Sequence, residues 1–202
     1  MKPGEIERRS MEIIASELTV PLADEVRPVV MRVIHATADF SFAESLRFTD
    51  GIVPRIREML KGGATVVTDT NMALAGISKP AAERLRVRLL CHMAEPDVAA
   101  EAKARGATRA TVSMERALAG KGPKVFVCGN APTFLMPLLD GPFPEDVAVI
   151  GAPVGFVNVV EVKQRLWESG IPAIVAMGRR GGSGVAAAIM NALFYGIEGV
   201  RA

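Results

Sequence analysis

The stretch Ala64-Thr65-Val66-Val67-Thr68-Asp69-Thr70-Asn71-Met72 breaks with everything before it. Upstream, apolar residues recur at helical spacing: Met11, Ile14 and Leu18 at i, i+3 and i+7, then Val26, Val29, Val30 and Val33 as a second stripe. Pro28 fits only in the first turn of that second helix, which places its start near Asp24 and its end near His35. A third helix is predicted over Val53–Leu60, closed by Gly62-Gly63. From Ala64 the pattern becomes a short apolar run rich in β-branched residues, ended abruptly by polar ones, which reads as a strand buried on both faces.

Four further runs repeat the pattern: Val87–Cys91, Val125–Cys128, Val147–Ile150 and Ala173–Ala176. Helical stretches separate several of them, over Pro96–Arg105, Val159–Glu168 and Gly184–Tyr195. Such alternation predicts the α/β class: a doubly wound, mostly parallel sheet of about five strands with helices on both faces, preceded by N-terminal helices, in a single domain over residues 1–202.

Half of the 202 residues are apolar and 23% are charged, a balance that forms a core and argues against disorder. A formal net charge of +2, with no basic run interleaved with aromatics, argues against a nucleic-acid partner. Met1–Arg9 is charged where a secretory signal needs an apolar segment. The longest apolar-looking stretch, Val147–Val160, contains Gly, Pro and Asn and is shorter than the roughly 20 residues of a membrane span. A soluble, cytoplasmic protein is expected, with no membrane partner. Cys91 and Cys128 sit in no CxxC or HExxH pattern, so they read as structural thiols and no metal is expected.

In a doubly wound sheet the ligand lies beyond the carboxyl ends of the strands, where the strand order reverses. Four polar or glycine-rich loops follow predicted strands there: Asp69–Met72, Gly129–Thr133, Gly151–Gly155 and Gly178–Gly184. The last stands between a strand and a helix, and Arg179 and Arg180 suit it to a carboxylate or phosphate. It matches neither GxGxxG nor GxxxxGK[ST], and a tight turn using glycine's freedom is the other reading. A nucleotide or sugar-phosphate enzyme would rest on this loop alone.

Only His35 and His92 can titrate as imidazoles. His35, near a helix C-terminus and close to Asp39, is either a general acid-base group or a helix cap, whereas His92 reads as structural. Ser10 interrupts the stripe between Ile6 and Ile14 and either bonds its own backbone or meets a ligand. Arg109, between two predicted helices, is either a surface charge or an anion contact.

Seven segments in this order resemble the precorrin-8X methylmutase/cobalt-precorrin-8 methylmutase family of cobalamin biosynthesis. They are Arg9–Ile14, Arg32–His35, Val67–Met72, Thr108-Arg109, Gly129–Thr133, Gly151–Val157 and Gly178–Ser183, and together they span nearly the whole chain. The resemblance implies an isomerase that moves a methyl group from C-11 to C-12 of a carboxylate-rich tetrapyrrole and releases a corrinoid product, without a cofactor. It implies His35 as the catalytic residue and Ser10 and Arg109 as substrate contacts. Arg9, Thr68, Asp69, Asn130, Arg179 and Ser183, from the shared segments, are the further expected contacts. The residues after His35, Ala36–Phe40, and after the first predicted strand, Asp69–Met72, look more like the branch acting on a cobalt-containing substrate. The chain departs from the family just before Ser10, where an aromatic is frequent and Ile6-Glu7-Arg8-Arg9 stands instead. A homodimer is implied, as is hand-over of product to the next pathway enzyme; a non-catalytic corrinoid carrier is the alternative.

Overall fold

The computed structural model describes residues 3–200. Helices α1 (Pro3–Glu17) and α2 (Arg27–Thr37) come first, followed by a short turn of helix α3 (Phe42–Ser45), strand β1 (Leu46–Phe48) and helix α4 (Ile52–Lys61). Strand and helix then alternate: β2 (Thr65–Thr68), α5 (Asn71–Gly76), α6 (Lys79–Arg84), β3 (Arg88–Leu90), α7 (Pro96–Arg105), α8 (Arg109–Ala119) and β4 (Lys124–Cys128). A 3-10 turn over Pro132–Phe134 leads into α9 (Met136–Asp140), β5 (Val147–Gly151), α10 (Val159–Glu168), β6 (Ala173–Ala176) and α11 (Ser183–Tyr195). Pro28 occupies the first turn of α2, where its missing N–H costs no intrahelical bond.

The six strands lie in the order β1-β6-β5-β4-β2-β3. All five expected strands are present and mutually parallel, so the class read from the sequence holds. The sixth, β1, was not foreseen. It pairs antiparallel with β6 through Leu46↔Ala176, Arg47↔Val175 and Phe48↔Ile174, and it covers an edge that would otherwise expose unpaired backbone. From β2 the chain steps outward to β3, then returns past β2 to β4. The reversal of winding therefore falls between β2 and β4.

Every residue of β4, β5 and β6 is buried, because helices cover both faces. Val125 and Val127 of β4 join the core beneath α2, α4 and α11, while Phe126 and Cys128 join the core beneath α8, α9 and α10. Helix α11 is apolar nearly all round because it lies between the sheet and α2. A Cβ on Gly76 of α5 would sit 2.8 Å from the Ala187 Cβ of α11, so glycine sets how closely those helices approach. Among the described residues no helix is long and apolar enough to cross a membrane.

Candidate active site at the sheet's carboxyl edge

The loops after β2, β4, β5 and β6 are bound to one another at the winding reversal. Asp69, immediately after β2, is fully buried. One carboxylate oxygen accepts the Gly129 N–H at 2.9 Å, and the other accepts those of Asn130 at 2.6 Å and Ala131 at 2.9 Å. Burial raises its carboxyl above the ordinary value, and the three backbone N–H groups pull it back down. The Cys128 thiol donates to the Ala131 carbonyl at 3.3 Å, and burial holds it well above its usual range, so it is no nucleophile.

Thr68 is also fully buried, its hydroxyl donating to the carbonyls of Thr70 and Leu90. Thr70 caps α5 by accepting the Ala73 N–H at 3.1 Å and shares a 2.9 Å hydrogen bond with the Ser183 hydroxyl at the start of α11. Gly129 allows this junction to close, since a Cβ there would lie 2.7 Å from the Ser183 Cα. Gly181 does the same beside the neighbouring strand β5: its Cβ would strike the Ala152 carbonyl, while Gly182 N–H donates to that carbonyl at 2.8 Å. Thr68, Asp69 and Ser183 thus form the floor of the site, facing inward, rather than open contacts for a ligand.

Above this floor stand exposed groups. Asn130 and Arg179 are exposed at the loop tips, and Arg179 lies 5.5 Å over the ring of Phe156, itself 84% exposed. Arg109 is exposed in the first turn of α8, and its guanidinium has no hydrogen-bond or ion-pair partner among the described residues. Its neighbour Thr108 caps the helix and donates to the Thr133 hydroxyl at 3.0 Å, which ties the start of α8 to the Gly129–Thr133 loop.

His35 is exposed in the last turn of α2, and its ring has no hydrogen-bond partner among the described residues. The helix continues to Thr37 and is closed by the Ala38 N–H on the Ile34 carbonyl, with Ala38 at φ 53°, so His35 does not act as its cap. Arg180 reaches from the Gly178–Gly184 loop to Asp39 and Ser41, pinning this end of α2 to the site edge. The Ser41 hydroxyl and the Arg180 guanidinium hold the Asp39 carboxyl below its usual range.

Ser10 and Arg9 lie on α1, and no hydrogen bond or ion pair joins them to these loops among the described residues. The Ser10 hydroxyl donates to the Ile6 carbonyl one turn back at 2.9 Å, and Arg9 is exposed beside Glu12 at 3.6 Å. His92 bonds Glu95 at 2.7 Å, within a surface cluster completed by Arg116 and Asp97.

Lys163, on α10, was missed by the reading of motifs. It is fully buried, and its ammonium donates to the carbonyls of Gly178 at 2.8 Å and Arg180 at 2.7 Å. A signal was present: Val159, Val162, Lys163 and Leu166 follow helical core spacing, and a lysine there must find polar partners inside the protein.

The chain is similar to known proteins along nearly its whole length. A model of the precorrin-8X methylmutase family matches residues 5–196. A cobalt-precorrin-8 methylmutase of Salmonella typhimurium is 37% identical over 206 residues, covering 96% of this chain and 95% of the relative. A precorrin-8X methylmutase of Pseudomonas aeruginosa is 36% identical, covering 93% of each chain. A crystal structure of the precorrin-8x methyl mutase from Thermus thermophilus superposes with a TM-score of 0.86 at 36% identity, covering 95% of both chains. The chain belongs to the precorrin-8X methylmutase family, isomerases of cobalamin biosynthesis.

Proposed function

We propose that this protein moves the methyl group at C-11 of a precorrin-8 macrocycle to C-12, with His35 as the group that lends and recovers the proton. The observation carrying this reading is the placement of His35. It is an exposed imidazole on a helix end that Arg180 ties to the anion-suited loop, in a chain of the methylmutase family. A proton donated to the conjugated ring draws electron density from the migrating carbon. The bond from C-11 to the methyl breaks as the bond to C-12 forms, and return of the proton to His35 leaves an isomer with no net gain or loss. Arg109, Arg179 and Asn130 face outward and suit the substrate's carboxylates, and holding several of these at once fixes the ring while the methyl moves. Thr68, Asp69 and Ser183 act beneath, by setting where those loops stand.

The cobalt-containing macrocycle is the proposed substrate, on the strength of the segments Ala36–Phe40 and Asp69–Met72. Ser10 and Arg9 join the site through a second copy of the chain or on ligand binding, since within one chain they stand apart on α1. A homodimer in the cytoplasm that passes its product directly to the next enzyme completes the reading.

Incubating the protein with precorrin-8 or its cobalt form and following the absorption spectrum tests the activity. His35→Ala should lower turnover about 10²- to 10⁴-fold while leaving product affinity and melting temperature nearly unchanged. No conversion of either substrate by the wild type refutes the enzyme. Tight product binding with undiminished pathway flux in a His35→Ala strain would identify a carrier instead.

A further inference from the structure

Three successive carbonyls of the Gly178–Gly184 loop are turned away from the open side of the site. The Gly178 and Arg180 carbonyls accept from the Lys163 ammonium, and the Arg179 carbonyl between them accepts the Gly155 N–H at 3.3 Å. A carbonyl dipole pointing at a bound carboxylate would repel it. With these three satisfied from below, the loop offers a ligand the Arg179 guanidinium, exposed at its tip.

Lys163 is also a buried cation without a counter-ion. Among the described residues it has no carboxylate within ion-pair distance, and a cation so placed is costly unless an anion meets it. The charged and titratable groups around it are engaged elsewhere. Arg180 is on Asp39 and Ser41, Arg179 is over Phe156, and Arg165 of the same helix pairs outward with Asp140 of α9. Glu161 is exposed on α10, and the Cys128 thiol of β4, which leans on Asp69, is the group that faces the ammonium from the sheet.

We propose that Lys163 is the positioning residue of the anion-binding loop. From beneath, it holds the loop's carbonyls inward and supplies a fixed positive charge whose counter-charge is a carboxylate of the bound ligand. The inference rests on the reading that this loop meets the tetrapyrrole's acetate and propionate groups. Burial pushes the Lys163 ammonium down to about 8, so its charge is lost at moderately alkaline pH.

The test uses the full chain in three forms, wild type, Lys163→Met and Lys163→Gln. Affinity for the corrinoid product is titrated by absorption at pH 7.0 and 9.5, KM and kcat are measured with precorrin-8, and amide hydrogen exchange across Gly178–Gly184 is followed without ligand. Lys163→Met should raise KM and the product Kd at least tenfold at pH 7.0, with kcat within threefold, and should speed loop exchange at least tenfold. Wild-type affinity should fall toward the variants' at pH 9.5. The Gln variant, neutral with two donors, should show no such fall, and it serves as the control for any pH effect that does not pass through Lys163. Should the Met variant fail to fold, the Gln variant and the wild-type pH series decide.

Unchanged KM, Kd and exchange in a folded variant overturn the proposal. So does faster exchange with unchanged affinity, which would make Lys163 a stability element only. Failure of the wild type to bind any corrinoid would overturn the ligand assignment, and slow wild-type exchange made fast by Lys163→Met would then still establish the positioning of the loop.

Discussion

Asp69→Asn exchanges one oxygen for an NH2 group and nearly conserves volume, yet it strikes the joint on which the site is built. The carboxylate receives three backbone N–H groups, from Gly129, Asn130 and Ala131. An amide has a single acceptor oxygen. In its better orientation that oxygen keeps Asn130 and Ala131 and turns a donor onto the Gly129 N–H; the other orientation loses two bonds. Leaving one buried donor unsatisfied costs about 1–3 kcal/mol, and the surviving bonds, no longer charge-assisted, are roughly half as strong. Relief of the buried charge, whose desolvation raises the carboxyl's pKa, offsets some of this, and a net loss of about 3 kcal/mol follows. For a chain of this size that is a fall of about 6–12 °C in Tm. Thermal unfolding followed by circular dichroism at pH 7 reads it, together with the reaction of Cys128 with a thiol reagent, which the intact loop shields. A Tm within about 2 °C of wild type with Cys128 still unreactive would show that the loop after β4 holds its shape without Asp69. The reasoning about the site's floor would then be wrong.

Gly129→Ala should lose about 1–3 kcal/mol or more, because its Cβ would lie 2.7 Å from the Ser183 Cα and 2.9 Å from the Ser183 nitrogen. Gly184→Ala, with nothing within 4 Å of the added carbon, should be neutral or stabilising, and denaturant midpoints for the pair check both. Arg180→Ala should cost under about 1 kcal/mol in Tm measurements, since its side chain is 63% exposed. It should nevertheless lower turnover at least tenfold by releasing the end of α2 that carries His35, and equal activity in steady-state assays would refute that link. The lowered pKa of Lys163, about 8 against 10.5, means that between those values the unfolded chain binds more protons than the folded one. This group's contribution to stability should therefore rise with pH from about 8 to 10.5. Urea midpoints should show that rise in the wild type relative to Lys163→Met.

Strands buried on both faces are legible because their signal is local. Val125–Cys128 and Val147–Ile150 are unbroken apolar runs, and helices α7 and α10 span the stretches that the sequence pattern marks as helical. The three residues Leu46-Arg47-Phe48 carry no such signal. They become a strand because the edge of β6 offers partners, a pairing across more than a hundred residues of sequence that no local pattern encodes.

The site divides along the same line. The topology of alternating strands and helices locates the loops that close over the winding reversal, and this needs only the order of elements. Which way a side chain points within those loops is decided by groups far away in sequence. Asp69 looks like a ligand contact until the N–H groups of Gly129, Asn130 and Ala131 are found pointing at it. With Asp69 turned inward, the side chains of these loops and of the start of α8 that remain exposed include Arg109, Asn130 and Arg179. Lys163 shows the reverse case. Its place in the apolar stripe of α10 announces a buried cation from the sequence alone, but its purpose becomes visible only when the Gly178–Gly184 loop is folded over it and two backbone carbonyls, rather than a carboxylate, receive the charge.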